Sequence, residues 1–148
     1  MSDTLPAIGS RAPDFMATAS DGSPVSLREL LGSGAVVLFF YPGDDTPGCN
    51  RQLSAVRDDL AAFNAAGIQP FGVNPAGIES HAKYAEKFGF NFPLLTDPDR
   101  EIASAYGALK ENGKSIQRSV LGIARDGTIR FAVRGAPPPD EVIAALGE

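Results

Sequence analysis

Cys49, the only cysteine in this chain of 148 residues, follows a turn rich in proline and glycine. The apolar run 35–41 before the turn predicts a buried strand, and apolar residues at helical spacing after it predict a helix. Cys49 is therefore expected in or just before the first helical turn, where unpaired N–H groups and the helix dipole favour an anion. A thiolate is such an anion, so the position suits a reactive thiol.

The residues just before Cys49 favour reactivity over a structural role, although a lone cysteine is more often a small buried hydrophobe. Thr46 supplies a hydroxyl that can donate to and accept from an oxygen substrate. Pro47 fixes its own backbone angle, and Gly48 lets backbone N–H groups come close to a small ligand. A structural cysteine needs none of these features.

Composition indicates a single domain, 1–148, that buries a core without disulfides or metal. The formal charge of −5 and the pI near 4.8 argue against nucleic acid or an anionic membrane as partner. The sequence contains no apolar stretch long enough to span a bilayer and no recognisable secretory signal. Together with the single cysteine, these features predict a cytoplasmic protein.

Alternating apolar strands and amphipathic helices predict an α/β sandwich. Its order and lengths are those of a thioredoxin-like sheet with an N-terminal β-hairpin extension around Asp21-Gly22. Ser26 is predicted to cap a short helix, and the helix of Cys49 is expected to continue to near Gly67. The remaining predicted elements are a strand at 68–74, a helix at 78–88, an apolar segment at 92–95, a helix around 100–106, strands at 119–124 and 128–133, and a closing helix through 142–146.

Pro42, Thr46 and Cys49 form the pattern Pro-x-x-x-Thr-x-x-Cys, which ends in Thr-Pro-Gly-Cys. Further landmarks are Ala12-Pro13-Asp14-Phe15, 92–97, and Arg118 leading into a predicted strand. On these residues the chain resembles a peroxiredoxin of the AhpC/TSA type, and within that group the bacterioferritin comigratory protein or Q-type subfamily. The resemblance runs the length of the chain.

The resemblance implies a thiol-dependent peroxidase that reduces hydrogen peroxide and organic hydroperoxides through a sulfenic acid at Cys49. It assigns Pro42, Thr46 and Arg118 to the active site beside Cys49. It also places Gln52 where the family carries a glutamate or glutamine that helps to hold the arginine. No cofactor and no metal are expected.

Ionisation of the thiol alone would not make an efficient peroxidase. An ordinary thiol is already a few per cent thiolate at neutral pH, so complete ionisation gains only about thirtyfold, roughly 2 kcal/mol. The larger effect must come from donors aimed at the charge that develops on the peroxide oxygens. Arg118, the Thr46 hydroxyl and the N–H groups near Gly48 are the candidates.

The chain departs from its relatives at Ser54, where many Q-type members carry a resolving cysteine, and the helix 78–88 has none either. We therefore expect a one-cysteine enzyme recycled by an external thiol: thioredoxin, glutaredoxin or a low-molecular-weight thiol. A monomer is expected rather than a dimer. Ser54 is either natural or an engineered replacement for a resolving cysteine, and both explanations fit the sequence.

Several residues have weaker assignments. Arg57 follows Cys49 on roughly the same helix face and is a candidate supporting residue, whereas His81 is predicted to be exposed and neutral to function. The acidic group Asp97, Asp99 and Glu101 lacks the glycine and spacing of a calcium loop.

Three functions other than a peroxidase would also use this fold or a lone cysteine. Thiol–disulfide exchange is disfavoured because Thr46 stands where Cys-x-x-Cys needs its first cysteine. A peroxide sensor or redox relay, and a non-catalytic thioredoxin-like binding module, remain as alternatives.

Overall fold

The computed structural model describes residues 4–147, and within that range seven strands form one sheet covered by six helices. The strands are β1 (Met16–Ala19), β2 (Pro24–Ser26), β3 (Ala35–Phe40), β4 (Ile68–Asn74), β5 (Leu94–Thr96), β6 (Ser119–Ile123) and β7 (Ile129–Arg134). The helices are α1 (Leu27–Leu31), α2 (Pro47–Asp58), α3 (Leu60–Ala65), α4 (Ile78–Phe88), α5 (Glu101–Ala105) and α6 (Pro139–Leu146).

The sheet has the order β2-β1-β5-β4-β3-β6-β7. Strands β3, β4 and β5 run parallel, so their carboxyl ends share one edge, which in open α/β sheets is where ligands bind. Strand β6 runs antiparallel to β3, and its first residue, Ser119, pairs with Phe40 at the end of β3. The chain just before β6 is thereby brought to the same edge.

Both faces of β3 are buried, which explains its unbroken apolar sequence. Val36, Leu38 and Phe40 pack in a core on the face that α1 and α5 cover. Their neighbours Val37 and Phe39 pack on the opposite face, beneath α2, α3, α4 and α6. The loop that follows β3 and leads to Cys49 therefore begins at a strand that is packed on both faces.

Most of the predicted elements are confirmed close to their expected bounds, including the N-terminal hairpin and the cap of α1. The Ser26 side chain accepts a hydrogen bond of 3.2 Å from the Glu29 backbone N–H. The prediction of a single helix from Cys49 to near Gly67 was wrong, because α2 ends at Asp58 and α3 begins at Leu60. Asp59 occupies the N-cap position of α3, where an aspartate is favoured and suits the positive end of a new helix dipole, so the sequence favours a break at this point. None of the described helices is long and apolar enough to cross a membrane.

Candidate active site

Cys49 lies in the first turn of α2, as the sequence predicts. Pro47 is the first residue of the helix, and Thr46 precedes it in an extended conformation. The first four N–H groups of a helix have no intrahelical acceptor, so the amides of Gly48 and Cys49 are available at its positive end. Cys49 itself is fully buried, packed with Phe39 and Leu53. The sulfur thus sits in an apolar setting beside a local concentration of donors.

Arg118 approaches Cys49 from the other side of the loop. It directly precedes β6, and its Nη2 lies 3.3 Å from Cys49 Sγ. Its Nη1 donates a hydrogen bond of 2.6 Å to Gln52 Oε1, one turn along α2 from Cys49. The structure therefore brings together Cys49, Arg118 and Gln52, three residues that the sequence assigned to the site.

The charge of Arg118 is not neutralised by a carboxylate among residues 4–147. Gln52, a neutral residue, orients the guanidinium but adds no negative charge. Because Cys49 is fully buried and Arg118 is half-buried, the electrostatic effect of their contact is stronger than it would be between exposed groups. The guanidinium is therefore free to favour an anion at Cys49 Sγ or on a bound oxygen.

Pro42 and Thr46 occupy the exposed side of the loop that leads to Cys49. The Thr46 hydroxyl does not cap α2 and makes only a 3.3 Å hydrogen bond to the Gly43 carbonyl oxygen. It can therefore turn toward a substrate at little cost. In the described part of the chain, no hydrogen bond joins Thr46 to Cys49 Sγ.

Arg57 does not join this cluster. Its Nη1 donates to the Phe88 carbonyl oxygen at 2.5 Å and its Nε to Asp58 at 2.9 Å, so it connects α2 to the end of α4. Ser54 is half-buried on α2 and supplies no thiol.

The prediction that His81 is exposed was wrong. Its side chain is fully buried, with Nδ1 at 2.8 Å from Asp44 Oδ2. His81, Tyr84, Ala85 and Phe88 follow the i, i+3, i+4, i+7 spacing of a buried helical stripe, so the sequence held a signal for this burial. A lone polar residue within such a stripe is easily assigned to the surface.

Asp44 is the second residue that the sequence did not single out. Its carboxylate accepts hydrogen bonds from Tyr41 Oη and Ser80 Oγ, both at 2.6 Å, in addition to facing His81. Burial acts to raise the pKa of Asp44, but the hydrogen bonds from His81, Ser80 and Tyr41 outweigh it and hold the pKa below the ordinary 3.8. The loop before Cys49 is thus tied to α4 through an ionised carboxylate.

Known proteins resemble this chain both in sequence and in fold. The model described as the AhpC/TSA family matches residues 8–132. A Mycobacterium tuberculosis protein named as a peroxiredoxin is 40% identical over 130 residues, covering 84% of this chain and 82% of that protein. The crystal structure of peroxidoxin BcpB from the same species has a TM-score of 0.86 at 29% identity, covering 93% of this chain and 94% of that one. A structure of the Xanthomonas campestris bacterioferritin comigratory protein, studied for its alkyl peroxide reduction activity, has a TM-score of 0.81 at 30% identity and 88% coverage of each chain.

The chain therefore belongs to the AhpC/TSA family. It is a peroxiredoxin of the bacterioferritin comigratory protein or Q-type subfamily, and it has the thioredoxin-like fold that the sequence predicts. As a peroxiredoxin it is a thiol-dependent peroxidase. The family and the activity expected from the sequence are confirmed.

Replacement of Gly48 tests how closely Arg118 must approach the loop. A Cβ atom at Gly48 would lie 3.1 Å from Arg118 Nη2, so Gly48→Ala must push the guanidinium away by a few tenths of an ångström. We expect the rate of Cys49 oxidation by hydrogen peroxide to fall up to about tenfold, because misplaced catalytic groups are costly. In the same loop, a Cβ at Gly43 would meet Thr46 Cγ2 at an ordinary 3.5 Å, so Gly43→Ala is the matched control. Equal rates for both variants would contradict this account of Gly48.

The lowered pKa of Asp44 predicts a pH-dependent contribution to stability. Its folded-state pKa lies below the unfolded value, so its contribution is present above about pH 4 and is lost as pH falls through the folded pKa. Urea unfolding should therefore show the largest difference between wild type and Asp44→Asn at neutral pH. That difference should shrink at about pH 3, and a difference independent of pH would contradict the prediction.

Proposed function

We propose that Cys49 is the peroxidatic residue of this enzyme and that Arg118, Thr46 and Pro42 form the rest of its catalytic site. The observation that carries the proposal is the 3.3 Å contact between Arg118 Nη2 and Cys49 Sγ at the N-terminus of α2. A cationic donor, a buried sulfur and unpaired backbone amides are the components that thiolate attack on a peroxide needs. Gln52 holds the arginine, and Gly48 leaves space for it.

In the proposed step, the Cys49 thiolate attacks the terminal oxygen of ROOH. An S–O bond forms as the O–O bond breaks, giving Cys–SOH and the alkoxide RO⁻, or hydroxide from hydrogen peroxide. Sulfur is oxidised, the peroxide is reduced, and the leaving oxygen takes a proton from water. Arg118 serves twice, because it favours the thiolate and then stabilises the charge that develops on the oxygens.

Both hydrogen peroxide and organic hydroperoxides are proposed as substrates. An apolar cavity of about 230 Å³ adjoins Gly48 and Gln52 and is lined by Phe39, Val56 and the Pro137–Pro139 segment. Such a cavity would accept the alkyl group of an organic hydroperoxide while its terminal oxygen lies at Cys49. The alkyl peroxide reduction studied in the Xanthomonas campestris relative supports this substrate class.

Recycling is proposed to use an external thiol, because Cys49 is the chain's only cysteine. The first thiol, R′SH, attacks Cys–SOH and releases water to give the mixed disulfide Cys–S–SR′. A second R′SH attacks the R′ sulfur of this mixed disulfide, which releases the Cys49 thiolate and forms the disulfide R′S–SR′. Thioredoxin, glutaredoxin or a low-molecular-weight thiol would each supply this chemistry. We further propose that residues 1–148 form one domain and that the enzyme is cytoplasmic and monomeric.

A redox relay is the second candidate. With no internal thiol to condense with, the sulfenic acid at Cys49 lasts until another molecule supplies one. If that molecule is a client protein rather than a dedicated reductant, the same mixed disulfide passes the oxidation on. The two functions share the site and differ in the partner.

Removal of the arginine tests the proposed site. We expect Arg118→Ala to lower the second-order rate of Cys49 oxidation by about 10²- to 10³-fold, the usual loss for a preorganised donor. Arg125→Ala is the matched control, because Arg125 is exposed and donates to the Gly32 carbonyl oxygen away from Cys49. The second-order rates of both variants are measured by stopped flow. A rate loss below about thirtyfold in Arg118→Ala would contradict the proposed role, because Arg118 would then only favour ionisation of the thiol.

Peroxide in excess tests the one-cysteine cycle. Without a thiol, the sulfenic acid has no internal partner, so repeated dosing should add two oxygen atoms to Cys49 and give sulfinic acid. Peptide mass spectrometry shows which residue carries the added mass of the two oxygen atoms. The Cys49→Ser variant is the control, because any oxygen it gains comes from other residues such as the exposed Met16. A product that stops at one oxygen under excess peroxide would contradict the prediction.

A further inference from the structure

A buried histidine joins the active-site loop to the edge of the sheet. His81 Nδ1 lies 2.8 Å from Asp44 Oδ2, while Nε2 lies 3.1 Å from the Leu95 carbonyl oxygen and 3.3 Å from that of Asn74. These oxygens are all acceptors. A neutral imidazole donates from only one nitrogen, whereas an imidazolium donates from both. The geometry is therefore satisfied by the doubly protonated ring.

Asp44, whose side chain is 9% exposed, is the one carboxylate within ion-pair distance of His81 in the described part of the chain. The buried Asp97 lies close by, since its backbone N–H donates to the same Asn74 carbonyl, but its carboxylate accepts from the backbone N–H groups of Ile102 and Ala103. The Tyr41 hydroxyl also faces the ring, and burial followed by the charge of Asp44 raises the pKa of this phenol, so it stays a neutral donor. From β4 and β5 only carbonyl oxygens face the ring. The charged side chains of α4 itself are all exposed: Glu79, Lys83, Glu86 and Lys87. His81 and Asp44 are thus each other's counter-charge.

The loop that Asp44 belongs to needs support from outside. Asp45, the next residue, has a φ of 56°, in the left-handed region that non-glycine residues adopt at a cost. Its carboxylate accepts from Asn50 Nδ2 at 3.1 Å, and Asn50 in turn accepts from the Tyr84 hydroxyl at 2.7 Å. Helix α4 therefore contacts the loop at Asp44, at Asp45 through Lys87 Nζ at 2.6 Å, and indirectly through Asn50 in the first turn of α2.

The position of Asp44 affects the chemistry because the loop is short. Thr46 follows it by two residues, and the amides of Gly48 and Cys49 come next. A shift of Asp44 would move the hydroxyl and the amide donors together. A misplacement of about 1 Å can cost a catalytic site a hundredfold in rate.

We propose that His81, as an imidazolium paired with Asp44, is a positioning residue that fixes the peroxide-binding loop to the ends of β4 and β5. It does not touch the reacting atoms. Its effect passes through Asp44 to the loop, and the inference rests on the proposed role of Cys49.

A double-mutant cycle tests the coupling. Cys49 oxidation by hydrogen peroxide is measured in wild type, His81→Gln, Asp44→Asn and the double variant. We expect each single variant to lose at least about tenfold and the double variant to lose little more than the worse single one, because both break the same contact. Losses that multiply would overturn the pairing, and so would rates unchanged from wild type.

Alkylation of Cys49 by iodoacetamide distinguishes positioning from general damage to the site. This reagent needs the thiolate but no donors to a peroxide oxygen, so its rate should fall much less in His81→Gln than the peroxide rate does. Equal losses in peroxide and iodoacetamide rates would overturn the positioning role. Lys83→Gln is the matched control on the same helix, since Lys83 is exposed and pairs only with Glu79 at 3.4 Å in the described residues.

The protonation state of His81 can be measured directly, because His81 is the only histidine in the sequence. Nitrogen-15 NMR of histidine-labelled wild type near neutral pH should show both ring nitrogens protonated, with one proton lost in Asp44→Asn. A neutral ring in wild type would overturn the proposal even if a variant fails to fold. Slow oxidation of wild-type Cys49 would instead contradict the proposed function and leave the NMR result standing.

Discussion

The contact between Arg118 and Cys49 is the interaction on which the rest of the site depends. The two residues are far apart in the chain, and their 3.3 Å approach requires β6 to run antiparallel beside β3. Glycine at position 48 leaves room for the guanidinium, since a Cβ there would lie 3.1 Å from Nη2, and the amide oxygen of Gln52 accepts a hydrogen bond from Nη1. The sheet supplies the rigidity, because β3 is buried on both faces and β6 pairs with it up to Ser119.

Magnitudes explain why position matters more here than ionisation. Full ionisation of a thiol is worth only about thirtyfold, whereas a fixed donor in a site shielded from water is worth 10²- to 10³-fold. Gln52 contributes by being neutral, since a carboxylate in its place would share the charge of Arg118. The same reasoning explains the hydrogen bonds between α4 and Asp44 in the loop before Cys49. Donors contribute fully only where they are held in place before the reaction, and in this protein a buried Asp44–His81 contact does the holding.

Much of this arrangement could be predicted from the sequence, and the reasons for the failures are physical. The apolar run before the turn and the apolar residues at helical spacing after it located Cys49 at a helix start, because both signals are local. The roles of Gln52 and Arg118 came from resemblance, and no local pattern joins Arg118 to Cys49, because the two lie 69 residues apart in the chain. His81 was misassigned because its burial depends on Asp44, a partner 37 residues away whose own sequence context indicates only a turn. Arg57 has helical spacing from Cys49, yet it turns to the end of α4, which only the tertiary packing determines.

The most direct test of the account is the second-order rate constant for oxidation of wild-type Cys49 by hydrogen peroxide, compared with that of free cysteine under the same conditions. The account predicts a rate far above the gain of about thirtyfold that complete ionisation allows. Such a rate would require the donors that Arg118 and the first turn of α2 provide. A rate at or below that gain would contradict the central claim, because Cys49 would then be an ionised thiol without a preorganised peroxide site.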